Sequence, residues 1–392
     1  MKKYCKNTDI LDRRLVVRAI LTCLDTRKKR LRYDTVRLFA TTGNVSKFTA
    51  RQALEDRNEL FGEIVYKLAD SLIAEMKRGA LRLRPVANRE RADASSGKMR
   101  TIAIIHVKQL IYDHIAVAAL APLMARIGRY QCASLPQRGQ LFGAKAVERW
   151  LRDRSIKYAA KLDIRHCYES IDHGRMMDFL KRHVKNPRLL WLIDTLIATC
   201  PQGLHIGSYL SQTLCNIYLS ELYHEISERM TTTRRHRNGS SESVNLVRHV
   251  LFYMDDILIL GHNKKHLHEA VRRVIGYASD KLGLQIKPCW RVFRVSESEG
   301  VDMMGFRMFR GHTSIRRRVF RRLRRAVLRI ERRCVSRVAV PISLARRMAS
   351  YAGYLMHSDS FKFCKRYHVA RVLRVVASAM STHDRRRAEL AA

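Results

Sequence analysis

The chain has no cysteine pair at CxxC spacing; its nine cysteines stand at 5, 23, 132, 167, 200, 215, 289, 334 and 364. A chain of 392 residues needs no disulfide staples, so reduced, cytosolic thiols are expected. No apolar run is long enough to span a bilayer, since the longest, 115–124, is too short and contains Pro122. The opening MKKYCKNTDILDRR lacks the apolar stretch of a signal peptide. These absences predict a soluble, cytoplasmic protein with no membrane partner. There is no internal repeat of fixed period. Acids are scarce: 35 Asp and Glu stand against 76 Lys and Arg, a formal net charge of +41.

Hydrophobic residues make up 46% of the chain, which excludes a disordered basic polymer. The length allows two or three packed subdomains. So large a positive charge on a foldable chain calls for a polyanion. Basic residues run throughout, where a membrane surface would be met by one basic face, so nucleic acid is the expected partner.

Residues 1–85 read mainly as helices, with Leu54, Leu60, Ile64, Leu68, Leu72 and Ile73 at helical spacing and an end between Gly79 and Pro85. The polar run 92–98 reads as a turn or loop. TIAIIHV (101–107) predicts a strand and 108–125 a helix. KYAAKLDI (157–164) is strand-like, 174–198 has helical periodicity, and 211–229 predicts another helix. The polar, basic segment 231–243 reads as an exposed loop. After it, 247–260 has two apolar β-prone runs broken by Asp255 and Asp256, the pattern of a hairpin with acids at its turn. Residues 307–337 hold 13 arginines and one glutamate, with Phe320, Leu323, Val327, Ile330 and Cys334 spaced as the apolar stripe of a helix. Ordinary solvated helices mix charge signs, so Arg316, Arg317, Arg318, Arg321, Arg322 and Arg325 are expected on a nucleic-acid backbone.

Asp163 at a strand end and the doublet Asp255-Asp256 stand in apolar β-runs, where a carboxylate is desolvated and needs a metal or a base. A strand end and a hairpin tip together supply the converging carboxylates that paired Mg²⁺ ions require. A plain polar β-turn also carries aspartates, so the doublet alone leaves both readings open.

Tyr253-Met254-Asp255-Asp256 resembles motif C of reverse transcriptases. Five further segments follow that family's order: GKMRTIAI (97–104) resembles its fingers segment, KLDIRHCYESID (161–172) motif A and PQGLHIGSYLSQTLCNIYL (201–219) motif B. KLGLQIKP (281–288) is similar to motif D and VDMMGFRMF (301–309) to motif E. The resemblance covers roughly 97–310.

The resemblance implies an α+β, right-hand polymerase fold. Residues 1–85 would be a helical extension of the fingers or a module for RNA binding and oligomerisation, 86–310 the fingers and the palm with its antiparallel sheet, and 311–392 a short basic helical thumb. It implies an RNA-directed DNA polymerase working by two-metal phosphoryl transfer with Mg²⁺, or Mn²⁺ as a substitute. Asp163 and Asp255 would ligate both ions, with Asp256 in the same cluster and the Ile164 carbonyl completing one. Tyr168 would be the steric gate that excludes a 2′-hydroxyl; the alternative for it is a core aromatic. Gln202 and Gly203 would meet the incoming deoxynucleotide, with Gly207 allowing close backbone approach. Lys98 and Arg100 would clamp its triphosphate and Lys287 would donate a proton to pyrophosphate, though each could equally be a surface cation. Met304, Gly305 and Phe306 would form the primer grip. Glu169 departs from the proline that many prokaryotic relatives carry.

The IGSYLSQ form of motif B and the segment 134–151 look prokaryotic, resembling group II intron-like, diversity-generating and defence-associated enzymes. The short stretch after motif E leaves too little chain for endonuclease or RNase H modules. The expected role is copying a dedicated noncoding RNA into cDNA in bacterial antiphage defence, with a second copy or an accessory protein as further partners. The alternatives are a diversity-generating element and a non-catalytic nucleic-acid-binding scaffold. The intact acid set argues against the scaffold, and Tyr168 argues against an RNA-making palm polymerase.

Overall fold

Asp12, Ser46 and Asn58 each accept a backbone N–H of the first turn that follows them, and so start three of the four helices that open the chain. The structure is a computed structural model that describes residues 3–26, 31–92 and 99–389. The four helices are Arg13–Asp25, Tyr33–Gly43, Lys47–Asp56 and Glu59–Arg78. The last ends at Gly79 with φ +68°, a left-handed cap that suits glycine. Ile64, Leu68 and Leu72 are buried as the periodicity predicts, while Leu60 and Ile73 are only half-buried.

The first two of these helices pack on helix Val107–Ala119, whose apolar side chains are almost all enclosed, and all four share one core with the middle of the chain. Buried Glu75 pins the junction. It accepts from the Lys108 ammonium at 2.5 Å, the Tyr112 hydroxyl at 3.0 Å and the Arg82 N–H at 3.0 Å. Burial pushes its carboxyl up, but these three donors outweigh that and hold it below its ordinary value.

A five-stranded sheet forms the centre, in the order Gln131–Cys132, His249–Tyr253, Asp256–Gly261, Tyr158–Asp163, Arg291–Arg294. Only the first pair is parallel. Side chains alternate between two cores. Ala160, Leu162, Phe252, Ile257 and Ile259 face the main one, with helices His173–His183, Tyr209–His224 and Lys264–Leu282. Ala159, Leu251, Leu258 and Leu260 face a smaller core shared with helix Gln140–Arg152 and a three-stranded sheet, Val301–Met303, Phe306–Met308 and Thr313–Ile315. Four helices follow, Arg317–Val335, Ile342–Met356, Phe361–Arg366 and Val369–Glu389, around a third core. Among the described residues no helix is long and apolar enough to cross a membrane.

Five expectations need correcting. The segment 231–243 is not a loop but most of a hairpin, Thr231–Arg235 paired with Ser241–Asn245; β-branched threonines and Asn238-Gly239, with Gly239 at φ +81°, set strand and turn. The stretch 174–198 is two helices, because Asn186 caps a new one, Pro187–Ile197, by accepting from Leu189 N–H at 3.0 Å. The strand expected at 101–107 is Met99–Ile104, paired with Ala87–Ala92, and the helix expected to 125 breaks after Ala119, with Ala121–Met124 following. The helix of 211–229 starts at Tyr209 and ends in a wide π turn, Glu225–Arg229.

His249 stacks on Trp150 at 4.6 Å and 3°, and burial holds its pKa down to about 4 against an ordinary 6.5. The folded state therefore keeps the ring neutral, while the unfolded chain takes up a proton below about pH 6.5. Stability contributed by His249 is complete above that pH and is lost as pH falls towards 4. His249→Phe is expected to remove about 2 kcal/mol of this acid sensitivity, allowing for solvent around a half-buried ring. Urea melts at pH 7 and pH 4.5 check it: an unchanged difference between the two would assign the sensitivity elsewhere.

Candidate catalytic site

Asp163 and Asp256 are register partners on neighbouring antiparallel strands, so their side chains leave the same face of the sheet. Tyr253 pairs with Asp256 across the hairpin, and Met254-Asp255 makes the turn. Met254 lies at φ +54°, a left-handed conformation that costs a side-chain-bearing residue about 1–3 kcal/mol and that here positions the acids. Beyond Asp163 the strand bends to the tip: Ile164 N–H donates to the Asp255 carbonyl at 3.1 Å. In extended chain the Ile164 carbonyl points the same way as its N–H, towards that tip.

Crowding of like charge shows in the protonation. Burial, then Asp256 and Asp163, push the Asp255 carboxyl up to about 6. Burial also raises Asp256, against the opposing charge of Lys161, whose ammonium is 3.9 Å from its carboxylate. Asp163 forms an ion pair with the Lys287 ammonium, and its carbonyl accepts Lys287 N–H at 2.8 Å. Among the described residues no three His, Cys, Asp or Glu side chains converge closely enough to clasp an ion as they stand. The donor set is nonetheless all oxygen, as hard divalent cations require, and among the described residues only two lysines, Lys161 and Lys287, pair with the three carboxylates. The residues fit such ions in chemistry.

Tyr168 sits on a single helical turn, Cys167–Ser170, entered through His166 at φ +46°. The ring is half-buried. Burial, then Cys215, Cys167 and Asp255, raise its hydroxyl pKa, with Arg100 opposing. Its neighbour Cys167 lies with Sγ 3.6 Å from Cys215 Sγ, which sets this turn against the motif B helix. The motif B loop is fastened beneath it: Leu204 N–H donates to the Tyr168 carbonyl at 2.7 Å, and His173 Nε2 lies 2.5 Å from the Gly203 carbonyl. Gly203 has φ +68°, and a Cβ there would stand 2.3 Å from the Tyr168 carbonyl oxygen and 2.6 Å from the Glu169 Cα. Gly203→Ala is expected to cost about 2–4 kcal/mol of stability from overpacking and left-handed strain. A denaturant melt within 0.5 kcal/mol of the parent, a roughly neutral result, would contradict that close approach.

Ala103 N–H donates to the Ile206 carbonyl at 2.9 Å, so the strand carrying Arg100 adjoins the same loop. Gln202 is exposed there, and its carbonyl accepts from Cys200 Sγ at 3.2 Å. Lys98 lies outside the described residues. Glu169 pairs with His166 at 2.9 Å on the surface.

Met304 and Gly305 form a two-residue turn with φ of +55° and +81°. Met304, Gly305 and Phe306 are all buried, and a Cβ on Gly305 would stand 2.6 Å from the Tyr354 ring, so the structure does not bring the expected primer grip to the surface. The Gln140 side-chain amide donates to the Met304 carbonyl and to the Tyr354 hydroxyl, the latter at 3.0 Å. Arg316 N–H donates to the Gly305 carbonyl at 2.9 Å, and its guanidinium pairs with Asp302. Arg316 is thus engaged within the protein, whereas Arg317, Arg318, Arg321 and Arg325 are exposed and Arg322 is half-buried.

Sequence reading missed Lys161, which donates to the Asp302 carbonyl at 3.0 Å and so joins the acids to the 301–308 hairpin. Its signal was present, since a residue two before Asp163 shares its face. His173 and Gln140 carried no such mark.

The reverse transcriptase (RNA-dependent DNA polymerase) family matches the chain over residues 88–308, more than half its length. Among solved structures the chain is similar to an apo telomerase from Candida Tropicalis truncated from its C-terminal domain, at 13% identity and TM-score 0.42, over 64% of this chain and 59% of that one. It is also similar to a telomerase from the same organism in complex with a TWJ fragment of telomeric RNA, at 11% identity and TM-score 0.42, over 81% of this chain and 61% of that one. The chain therefore spans about three fifths of the length of these two relatives. No curated protein matches.

Proposed function

We propose that this chain, which belongs to the reverse transcriptase family and has its right-hand polymerase fold, is an RNA-directed DNA polymerase. The observation that carries the reading is the pairing of Asp163 with Asp256 beside the Asp255 turn. Two Mg²⁺ ions, with Mn²⁺ as a substitute, would be held by the three carboxylates and the Ile164 carbonyl, where they would activate the attacking 3′-hydroxyl and neutralise the leaving pyrophosphate.

The chain's own residues supply positioning and selection. Tyr168 fills the space that a 2′-hydroxyl would need. Gly203 and Gly207 bring the motif B backbone close to the nucleotide, and Gln202 is exposed to meet it. Arg100, with Lys98, supplies positive charge to the triphosphate. Lys287 now neutralises Asp163; with that carboxylate engaged elsewhere, its ammonium is placed to give a proton to pyrophosphate. The exposed arginines of helix Arg317–Val335 meet the duplex backbone. Residues 86–310 are then fingers and palm, and 311–392 the thumb.

The template is a noncoding RNA copied to cDNA in bacterial antiphage defence, a reading supported by the resemblance of the 134–150 segment. Sequencing the DNA bound to the tagged protein from cells, with and without phage and beside an Asp255→Ala/Asp256→Ala variant, tests it. DNA complementary to one noncoding RNA, found only with the active protein, is expected. A mutated gene repeat would assign diversification instead, and identical nucleic acid from both proteins would leave a binding scaffold.

A further inference from the structure

Between helices Arg317–Val335 and Phe361–Arg366 lies a cleft of about 750 Å³, within the range of sites that hold nucleotide-sized ligands. Its charged lining is six Arg and Lys side chains with no acid. Three half-buried rings run through it in series: Phe320 and Phe363 have centroids 5.0 Å apart, Phe363 and Tyr367 4.8 Å. The guanidiniums of Arg324 and Arg366 each stand 5.8 Å from the centre of the Tyr367 ring. Arg324 Nε also donates to the Tyr367 hydroxyl at 3.1 Å. On the same short helix Phe361 is 78% exposed, although core packing gives it no role.

Cations gathered around a cleft repel one another, and no carboxylate within this one offsets the cost, so the site calls for an anion. A phosphate alone would use the guanidiniums and leave the rings idle. An unpaired base uses both, stacking on an aromatic face while its flanking phosphates meet the cations. A duplex shows the same phosphates but keeps its bases stacked inside, out of reach of the rings. We infer that this cleft binds an unpaired nucleotide within a single-stranded nucleic acid, its base against Tyr367 and Phe363 and its neighbouring phosphates on Arg324 and Arg366. The inference does not depend on the catalytic acids, and three of its cations, Arg324, Lys362 and Arg366, lie outside the arginine set that the sequence singled out.

Fluorescence anisotropy of the full chain tests it, with a short labelled single strand and a hairpin duplex as probes and no deoxynucleotide present. Tyr367→Leu keeps the bulk and removes the stacking face. It is expected to weaken single-strand binding about tenfold while changing duplex binding less than about twofold. Arg324→Gln with Arg366→Gln is expected to flatten the dependence of log affinity on log salt by about 1.4 for the single strand. Melting curves establish that each variant is folded; should Tyr367→Leu melt early, the arginine pair decides. Unchanged single-strand affinity in Tyr367→Leu, equal losses for strand and duplex, or an unchanged salt slope in the arginine pair would each overturn the assignment. Because nothing is polymerised in this assay, its failure leaves the polymerase reading standing, and failed synthesis leaves this one standing.

Discussion

Asp255→Ala combined with Asp256→Ala is expected to lower DNA synthesis at least about 10⁴-fold, a barrier increase of about 5 kcal/mol. The reasoning is electrostatic. Burial and mutual repulsion raise both carboxyls, so the protein holds negative charge where folding alone would disfavour it. Removing that charge removes what a divalent cation would compensate. The same substitution relieves repulsion at the tip, so the variant is expected to melt no lower than the parent. RNA binding should persist, because the exposed arginines of helix Arg317–Val335 sit on a separate core. Primer extension and melting measured together separate the cases. Unchanged synthesis would remove these acids from the chemistry, whereas lost synthesis with a collapsed melt would make them structural.

Tyr168→Ala is expected to reduce discrimination against ribonucleotides about 100-fold, or about 2.8 kcal/mol. Bulk is the agent of selection in this reading, so Tyr168→Phe should discriminate as the parent does. Single-nucleotide incorporation with paired deoxy- and ribonucleotides reads this directly. An unaltered ratio in the alanine variant would place the gate elsewhere. A lost ratio in the phenylalanine variant would shift selection to the hydroxyl.

The chemistry-bearing segments were legible because they join two patterns seldom found together, apolar alternation and acids at fixed places within it. The hairpin at 249–261 announced itself in this way, whereas the register that pairs Asp163 with Asp256 came only with the fold. What sequence hid was of another kind. The hairpin 231–245 was masked by arginine and serine, although Asn238-Gly239 between β-branched runs was there to be read. The break at Asn186-Pro187 likewise carried an ordinary helix-start signal inside a periodic stretch.

Other features are invisible in one dimension. Lys287 reads as a free cation until the fold sets it on Asp163, 124 positions away in the chain (287 − 163). Arg316 reads as one of a basic row until Asp302 takes its charge inward. Met304, Gly305 and Phe306 read as a primer grip until the fold buries all three. The aromatic floor of the cleft between helices Arg317–Val335 and Phe361–Arg366 comes from segments whose rings show no common period. The N-terminal helices were legible as helices, but their packing on Val107–Ala119 depends on Glu75, a buried acid that composition would assign to the surface.

The central claim is RNA-templated DNA synthesis at the Asp163, Asp255 and Asp256 cluster. Its most direct test gives the purified full chain an RNA template with an annealed primer, deoxynucleotides and Mg²⁺, and sequences the product. The account predicts DNA complementary to the template, formed by the parent and absent from the Asp255→Ala/Asp256→Ala variant and from reactions without a divalent cation. Product of the same sequence and yield from that variant, or RNA product formed in preference to DNA, would contradict it.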